Sequence, residues 1–432
     1  MALFSRSHGA APAEADAVQT SPDGPLEGRL AALLEAGEDG VARAVDAALA
    51  EAVAQGASDL HFEPWMDVLA LRFRIDGMLH DRAMLPKAAQ ARIVSRLKVL
   101  ARIVVYERQL PQDGRIEAAA TPAGRPMRVS TFPTVYGEKA VVRIFEADHG
   151  SLPLDALGFQ SDTERSLRAL LTTPHGTLLL TGPSSSGKTT TIYALLREML
   201  GDAAPRRHIV TIEDPVECRL DRVAQSEVNP AAGFTFQEAL RALLRQDPEV
   251  VMVGEIRDAE TARIAVQAGL TGHLVISTIH SGTAAGVFTR LLDMGVEPFL
   301  IGSSVTGVLA QRLVRRLCPS CAAPAEPGPT HRARFGSGIE GRAFRGAVGC
   351  PECVGIGYRG RTAIAELLEV DDALVTLLLE RVRTAELHAA AVDNGMRPIE
   401  ADGLARAAEG VTTLDELMRV LPVVTSHRRA TS

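Results

Sequence analysis

The feature that most restricts the fold is a glycine-bounded loop set between an apolar run and a helix. Thr177–Thr181 reads TLLLT, and Gly182-Pro183-Ser184-Ser185-Ser186-Gly187-Lys188-Thr189 follows without a gap. Thr189, Thr190 and the residues up to Leu200 then have helical spacing. G-x-x-x-x-G-K-[ST] in a strand–loop–helix setting is a phosphate cradle. The glycines let backbone N–H groups turn inward, Lys188 brings a cation to the β- and γ-phosphates, and the Thr189 hydroxyl is a ligand for Mg²⁺. The helix that opens there points its positive end at the anion. A Gly/Ser-rich surface loop would need neither the apolar run nor the helix. HIVTIED, VVMVGE and HLVISTIH are further short apolar runs separated by helical segments. That alternation predicts a parallel sheet with helices on both faces.

A phosphate loop needs a second apolar strand ending in an acid, to hold the metal or polarise water. Val250–Glu255 supplies one, and Ile209–Ile212 ends in Glu213-Asp214. TGHLVISTIHS puts His273 and His280 at the two ends of another strand. Carboxyl ends of parallel strands share one sheet edge, where ligands bind. Taken singly, each acid reads equally as a solvated strand end and each histidine as a structural residue. Several strand ends beside one phosphate loop weaken that reading.

Around this core the chain divides by pattern. Residues 1–40, rich in Ala, Pro, Gly and acids, read as a flexible tail with one short helix near Leu26–Ala36. Residues 41–146 read as an α+β domain. Helices are expected over Val41–Gln55 and Ala88–Val105, with strands in SDLHFEP and VLALRFRIDG. Turns are expected at Asp76-Gly77, Asp113-Gly114, Ala123-Gly124 and Tyr136-Gly137. A hinge is placed at 147–155 and the nucleotide domain at 156–432. Within that domain a cysteine-bearing insertion covers 312–361, and 362–424 reads as helical. No run of 18 apolar residues occurs, and the N-terminus lacks the apolar stretch of a signal peptide. A cytoplasmic protein is therefore expected. The net charge of −7 disfavours a dedicated nucleic-acid binder.

Four of the five cysteines form two C-x-x-C pairs, Cys318/Cys321 and Cys350/Cys353, and Cys218 stands alone. Four thiolates suit tetrahedral Zn²⁺; a redox dithiol or unliganded buried thiols are the alternatives. Between 312 and 361 nine Arg face three Glu. That excess would suit a partner protein, an anionic lipid or nucleic acid, or simply a solvated surface.

The sequence resembles the ATPases of type II secretion and type IV pilus assembly over about 56–424. TIEDPVE resembles their Asp box, LLRQDPEVVMVGEIRDAETA their Walker B region and TGHLVISTIHS their His box. SDLHFEP, FRIDG, LPQDGRI and VSTFPTVYGEKAVVRIF resemble the domain before the ATPase core. QRLVRRLCPSC and GCPECVGIGYRGR are similar to the zinc module of assembly-type motors, which retraction-type pilus motors lack.

The resemblance implies an α/β fold: a RecA-like P-loop ATPase core, a preceding α+β domain and a zinc-binding insertion. It implies ATP, Mg²⁺ and Zn²⁺ as cofactors and a homo-hexamer working on inner-membrane secretion or pilus platform proteins. Localisation would be cytoplasmic and peripheral at the inner membrane, with membrane contact through partners and no nucleic acid.

Residue by residue, the resemblance makes Glu255 the Walker B acid near Mg²⁺ and Glu213 the group that orients or activates water. Those two roles are exchangeable on sequence alone. Asp214 and Glu217 complete the Asp box, His280 contacts the γ-phosphate and His273 supports the strand. Arg115 and Arg128 approach the nucleotide, with Arg74 and Arg143 as secondary candidates. Two departures stand out. The family loop usually reads GPTGSGKT, whereas Ser184 and Ser185 replace Thr and Gly here, and serine makes a positive φ more costly. The long N-terminal domain by which many secretion members dock on the platform also has no counterpart before residue 41. The alternatives are a RecA-like nucleic-acid motor and an ATP-binding scaffold with little turnover.

Overall fold

The computed structural model describes residues 25–122, 124–145, 152–201 and 207–422, which fall into two compact units, Met1–Glu146 and Ala147–Ser432.

In the first unit, α1 (Pro25–Glu35) and α2 (Glu38–Ala54) form a helical pair. Leu26, Leu30 and Leu34 recur every fourth residue and are buried, so α1 presents one apolar stripe. Ordered structure therefore begins before residue 41, and residues 1–24 of the tail expected at 1–40 lie outside the described residues. Next come β1 (Ala57–Pro64), β2 (Val68–Ile75), β3 (Met78–Pro86), α3 (Gln90–Leu100), β4 (Gln112–Ile116), β5 (Met127–Thr134) and β6 (Gly137–Ile144). The strands form one antiparallel sheet in the order β3-β2-β1-β6-β5-β4. Asp76 and Gly77, at φ 47° and 82°, make the tight β2–β3 turn.

Two expectations fail here. Asp113-Gly114 is no turn but lies inside β4. A Cβ on Gly114 would come within 2.5 Å of the Ala101 carbonyl, so the glycine serves close approach. Helix α3 stops five residues before Val105, where Arg102 takes φ 56°.

The second unit follows the strand–helix alternation. Its first part comprises α4 (Ser161–Leu171), β7 (Gly176–Thr181), α5 (Lys188–Met199), β8 (Ile209–Glu213), β9 (Val223–Glu227), α6 (Phe236–Leu243) and β10 (Val250–Ile256). It continues through α7 (Ala259–Leu270), β11 (Leu274–Ile279), α8 (Ala284–Asp293), α9 (Pro298–Ser304) and β12 (Val305–Leu317). The seven-stranded sheet has the order β15-β12-β7-β11-β10-β8-β9, parallel except for β15 (Tyr358–Glu369) at one edge. Adjacent residues of β7 serve opposite faces. Leu178 and Leu180 join the cluster built on α4 and α5, whereas Leu179 joins the one built on α6 to α9.

The expected insertion at 312–361 begins inside β12 and ends inside β15. These two strands pair antiparallel from Gly307↔Glu369 to Leu317↔Tyr358, so the insertion proper is the excursion 318–357. It contains β13 (Ala323–Ala325), α10 (Pro329–Phe335) and β14 (Phe344–Gly346). Nor is 362–424 wholly helical, because it opens on β15. TAIAELLE is rich in helix formers, but pairing along β12 outweighs local propensity. Helices α11 (Asp372–Leu379), α12 (Thr384–Asp393), α13 (Ile399–Ala408) and α14 (Leu414–Val420) complete the unit. Residues 147–151 of the expected hinge lie outside the described residues. Leu154, at its other end, is fully buried beside β7 and α5.

Candidate functional site

The loop after β7 has the backbone its sequence calls for. Gly182 and Gly187 take φ 147° and 87°, and Ser185 takes φ 61°, the left-handed region that serine adopts only at a cost. Gly187 caps α5, so that helix points its N-terminus at the loop. Lys188 Nζ donates to the carbonyls of Gly182, at 2.8 Å, and Pro183, at 3.0 Å. Partial burial lowers its pKa, and the negative charge of Glu255 nearby pulls the other way. Pro183, Ser184, Ser185 and Thr189 are exposed, Thr190 is half-buried and Ser186 is buried.

Strand order brings the neighbouring functional groups to this edge. β11 lies beside β7 and β10 lies beside β11, all parallel, so Thr181, Ile279 and Ile256 end on one side. Thr181 Oγ1 donates to Ser281 O at 3.1 Å and accepts from Ser281 N at 2.9 Å. Thr278 Oγ1 holds Gly254 O at 2.8 Å. Three strand ends are thereby clamped together. His280 Nε2 lies 2.9 Å from Glu255 Oε1, and Arg257 Nε donates to Glu255 Oε2 at 2.7 Å. Glu255 remains partly open, with 19% of its side chain exposed.

Glu213 has a different setting. It is only 4% exposed. Its Oε2 accepts from Tyr193 Oη at 2.5 Å, and its Oε1 accepts from Thr211 Oγ1 at 2.7 Å and Gln225 Nε2 at 3.0 Å. Burial, and then the charge it donates to, raise the Tyr193 phenol above its ordinary range, so it stays a donor. Asp214 is exposed beside this carboxylate, and Glu217 follows in the same loop.

His273 does not reach the phosphate loop. The register Leu274↔Gly176 puts it at the start of β11, on the opposite sheet edge. At about 3.3 Å per residue it lies roughly 23 Å along the strand from His280. Its Nδ1 sits 3.1 Å from Ala268 O, which ties down the end of α7.

Sequence reading passed over Tyr193, Thr211, Gln225 and Arg257. Only Arg257 carried a signal, since it stands two residues after Glu255, just past the end of β10.

In the first unit, Arg115 and Arg128 are direct cross-strand partners, Arg115↔Arg128. The row continues through Arg143 to Asp59 and then Arg74. Arg115, Arg128 and Arg143 are 65%, 57% and 65% exposed at the side chain. Their acidic contacts are Glu117 at 3.9 Å, Asp113 at 3.3 Å and Asp59 at 2.9 Å, respectively. Three like charges in consecutive cross-strand positions are unfavourable by themselves and suit an incoming anion.

The four paired cysteines converge. Their sulfurs all lie within 4.8 Å of one another. Cys318–Cys350 and Cys321–Cys353 are 3.8 Å apart and Cys350–Cys353 3.7 Å. Sulfurs about 2.3 Å from a tetrahedral Zn²⁺ stand about 3.8 Å from each other, whereas a disulfide needs about 2.05 Å. Burial opposes ionisation of Cys353, but backbone N–H donors from Cys350 and Gly357 overcome it and bring the thiol down to about 7. The donor set and spacing fit Zn²⁺. Cys218 is a half-buried thiol on the α5 side of the core.

The family model "Type II/IV secretion system protein" matches residues 35–419. The type II secretion system ATPase E of Vibrio cholerae is 47% identical over 392 residues, covering 90% of this chain and 77% of that one. The type IV pilus assembly ATPase PilB of Thermus thermophilus is 42% identical over 89% of this chain and 43% of its own. Among solved structures, the pilus retraction motor PilT with bound ADP superposes at TM-score 0.57 with 25% identity, covering 87% of this chain and 96% of that one. The ATPase DotB of Yersinia pseudotuberculosis has the same fold at TM-score 0.65 and 20% identity, over 88% and 93% of the two chains. Similarity of this depth over nine-tenths of the chain reflects common descent, and the chain is an ATPase of the type II/IV secretion system protein family.

Proposed function

We propose that this ATPase hydrolyses ATP with Mg²⁺ at the β7–α5 loop and uses the energy to drive type II protein secretion or type IV pilus assembly. The observation that carries the reading is the edge shared by Lys188, Glu255 and His280 at the ends of three adjacent parallel strands. The loop amides and Lys188 would bind the phosphates. The Thr189 hydroxyl and Glu255 are hard oxygen donors of the kind Mg²⁺ takes. When bound, the metal would neutralise charge on the β- and γ-phosphates.

Glu255, which is accessible and flanked by His280 and Arg257, is the better placed of the two acids to polarise water. Glu213, held by three donors, would fix the end of β8. Arg115 and Arg128 would meet phosphate charge as a ring assembles, since their acidic contacts at 3.9 Å and 3.3 Å leave both guanidinium groups more than half exposed. Relatives named as secretion and pilus-assembly ATPases, together with the zinc-type cysteine cluster, support a hexameric assembly motor. It would bind Zn²⁺ in the 318–357 excursion and work at the inner membrane on platform proteins.

The strained Ser185 favours one other reading, an ATP-binding scaffold with little turnover. Steady-state ATPase assays of wild type, Lys188→Ala and Glu255→Gln separate the two. Turnover in wild type, its loss in both variants and retained nucleotide binding by Glu255→Gln are expected. Near wild-type activity in Lys188→Ala would overturn the site.

A further inference from the structure

The phosphate loop is hydrogen-bonded from beneath by Gln311, which comes 125 residues after Ser186 and lies on β12, beside β7. Gln311 is 1% exposed and Ser186 3%. Gln311 Nε2 donates to Ser186 O at 2.8 Å. Both loop glycines lie against the same residue. A Cβ on Gly182 would come within 2.4 Å of Gln311 O, and one on Gly187 within 3.2 Å of Gln311 Nε2. The glycines of the motif therefore admit Gln311 from below as well as a phosphate from above.

We propose that Gln311 is a positioning residue for nucleotide binding, acting through the peptide between Ser186 and Gly187. This rests on the phosphate-binding role argued above. A trans peptide points its C=O and its N–H in opposite directions. With Ser186 O pulled down onto Gln311, the Gly187 N–H faces the other way, into the cradle where phosphate oxygens would lie. Without that tether the peptide is free to rotate, and the cradle loses an oriented donor. Gln311 Oε1 and Ser186 Oγ are also buried without hydrogen-bond partners among the described residues. No rival contact thus holds the amide in place, and its one bond is to the loop.

Binding of fluorescent mant-ADP with Mg²⁺ tests the proposal, with Lys188→Ala as the control for the site itself. Gln311→Leu keeps the bulk and removes the donor. Its Kd should rise about tenfold, in line with losing one buried hydrogen bond, while kcat at saturating ATP changes much less than KM. Gln311→Glu supplies a second readout if the leucine variant folds poorly. A protonated acid still donates to Ser186 O, and an ionised one repels it. The Kd of this variant should approach the wild-type value near about pH 6 and worsen relative to wild type towards about pH 8.5. If wild type binds, Lys188→Ala does not, and both Gln311 variants bind like wild type at every pH, the inference falls and the site stands. If Lys188→Ala also binds normally, the site reading itself falls.

Discussion

Replacing Tyr193 by Phe separates the two acids of the site. The change removes one oxygen from a fully enclosed position, because Tyr193 is 1% exposed and Glu213 4%. It takes away the 2.5 Å donor to Glu213 Oε2 and the acceptor for Cys218 N–H at 3.3 Å. Thr211 and Gln225 both donate to Oε1, so Oε2 keeps no donor from either. A hydrogen bond to a charged group contributes about 1.5–3 kcal/mol, and most of this should appear as lost stability because water cannot enter to replace it. A loss of about 2 kcal/mol corresponds to a fall of roughly 3 °C in Tm for a unit of this size.

The kinetic outcome depends on what Glu213 does. If it anchors β8, as its three donors suggest, kcat should fall less than about tenfold. If it is the base that activates water, loosening it should cost a large part of the about 10²–10⁴ that such catalysis supplies. Glu255→Gln should lose that larger factor without the drop in Tm. Thermal unfolding and steady-state kinetics on Tyr193→Phe, Glu213→Gln and Glu255→Gln give the answer. A Tyr193→Phe protein with unchanged Tm, or with kcat reduced as far as in Glu255→Gln, would refute the assignment.

Freshly purified, reduced protein should carry about one Zn²⁺ per chain by elemental analysis. Cys318→Ser with Cys321→Ser should release it and lower the melting temperature of the second unit, and a preparation free of zinc would contradict the site. Arg115→Ala and Arg128→Ala should reduce kcat more than nucleotide affinity, because the charge they would meet grows in the transition state; equal effects on Kd and kcat would argue against that role. Nucleotide binding should weaken at alkaline pH. Burial holds the pKa of Lys188 below the ordinary lysine value, so as pH rises its positive charge is lost earlier than that of an exposed lysine. Titrating mant-ADP from about pH 7 to about pH 10 should show the loss, and Lys188→Arg, whose guanidinium does not deprotonate there, should bind with little pH dependence.

The parts of this site that were legible in the sequence are those in which chemistry and local structure use the same residues. The loop could be read because its glycines, lysine and threonine lie next to one another between an apolar run and a helix. Glu255 and His280 could be read because each ends a buried strand, and strands in a parallel sheet share an edge. His273 opens the strand that His280 closes, and the carboxyl end is the one where ligands bind. The register Leu274↔Gly176 puts His273 at the other end.

What stayed hidden depends on pairing between distant segments. Gln311 reaches Ser186 from 125 residues away, and Tyr193 reaches Glu213 from another element. The three arginines before Cys318 concealed a 13-residue strand, and helix-forming residues concealed its partner β15. The same long-range pairing links two features that the sequence showed as unrelated. β12 carries Gln311 under the phosphate loop and ends at Leu317, immediately before Cys318. β12 pairs with β7 as far as Ala310 and with β15 from Gly307 to Leu317, so the cysteine cluster and the floor of the nucleotide site are joined by a paired strand rather than by a loop. The excursion at 318–357 is thus built directly onto two paired strands of the nucleotide domain's own sheet, although it reads in the sequence as an insertion.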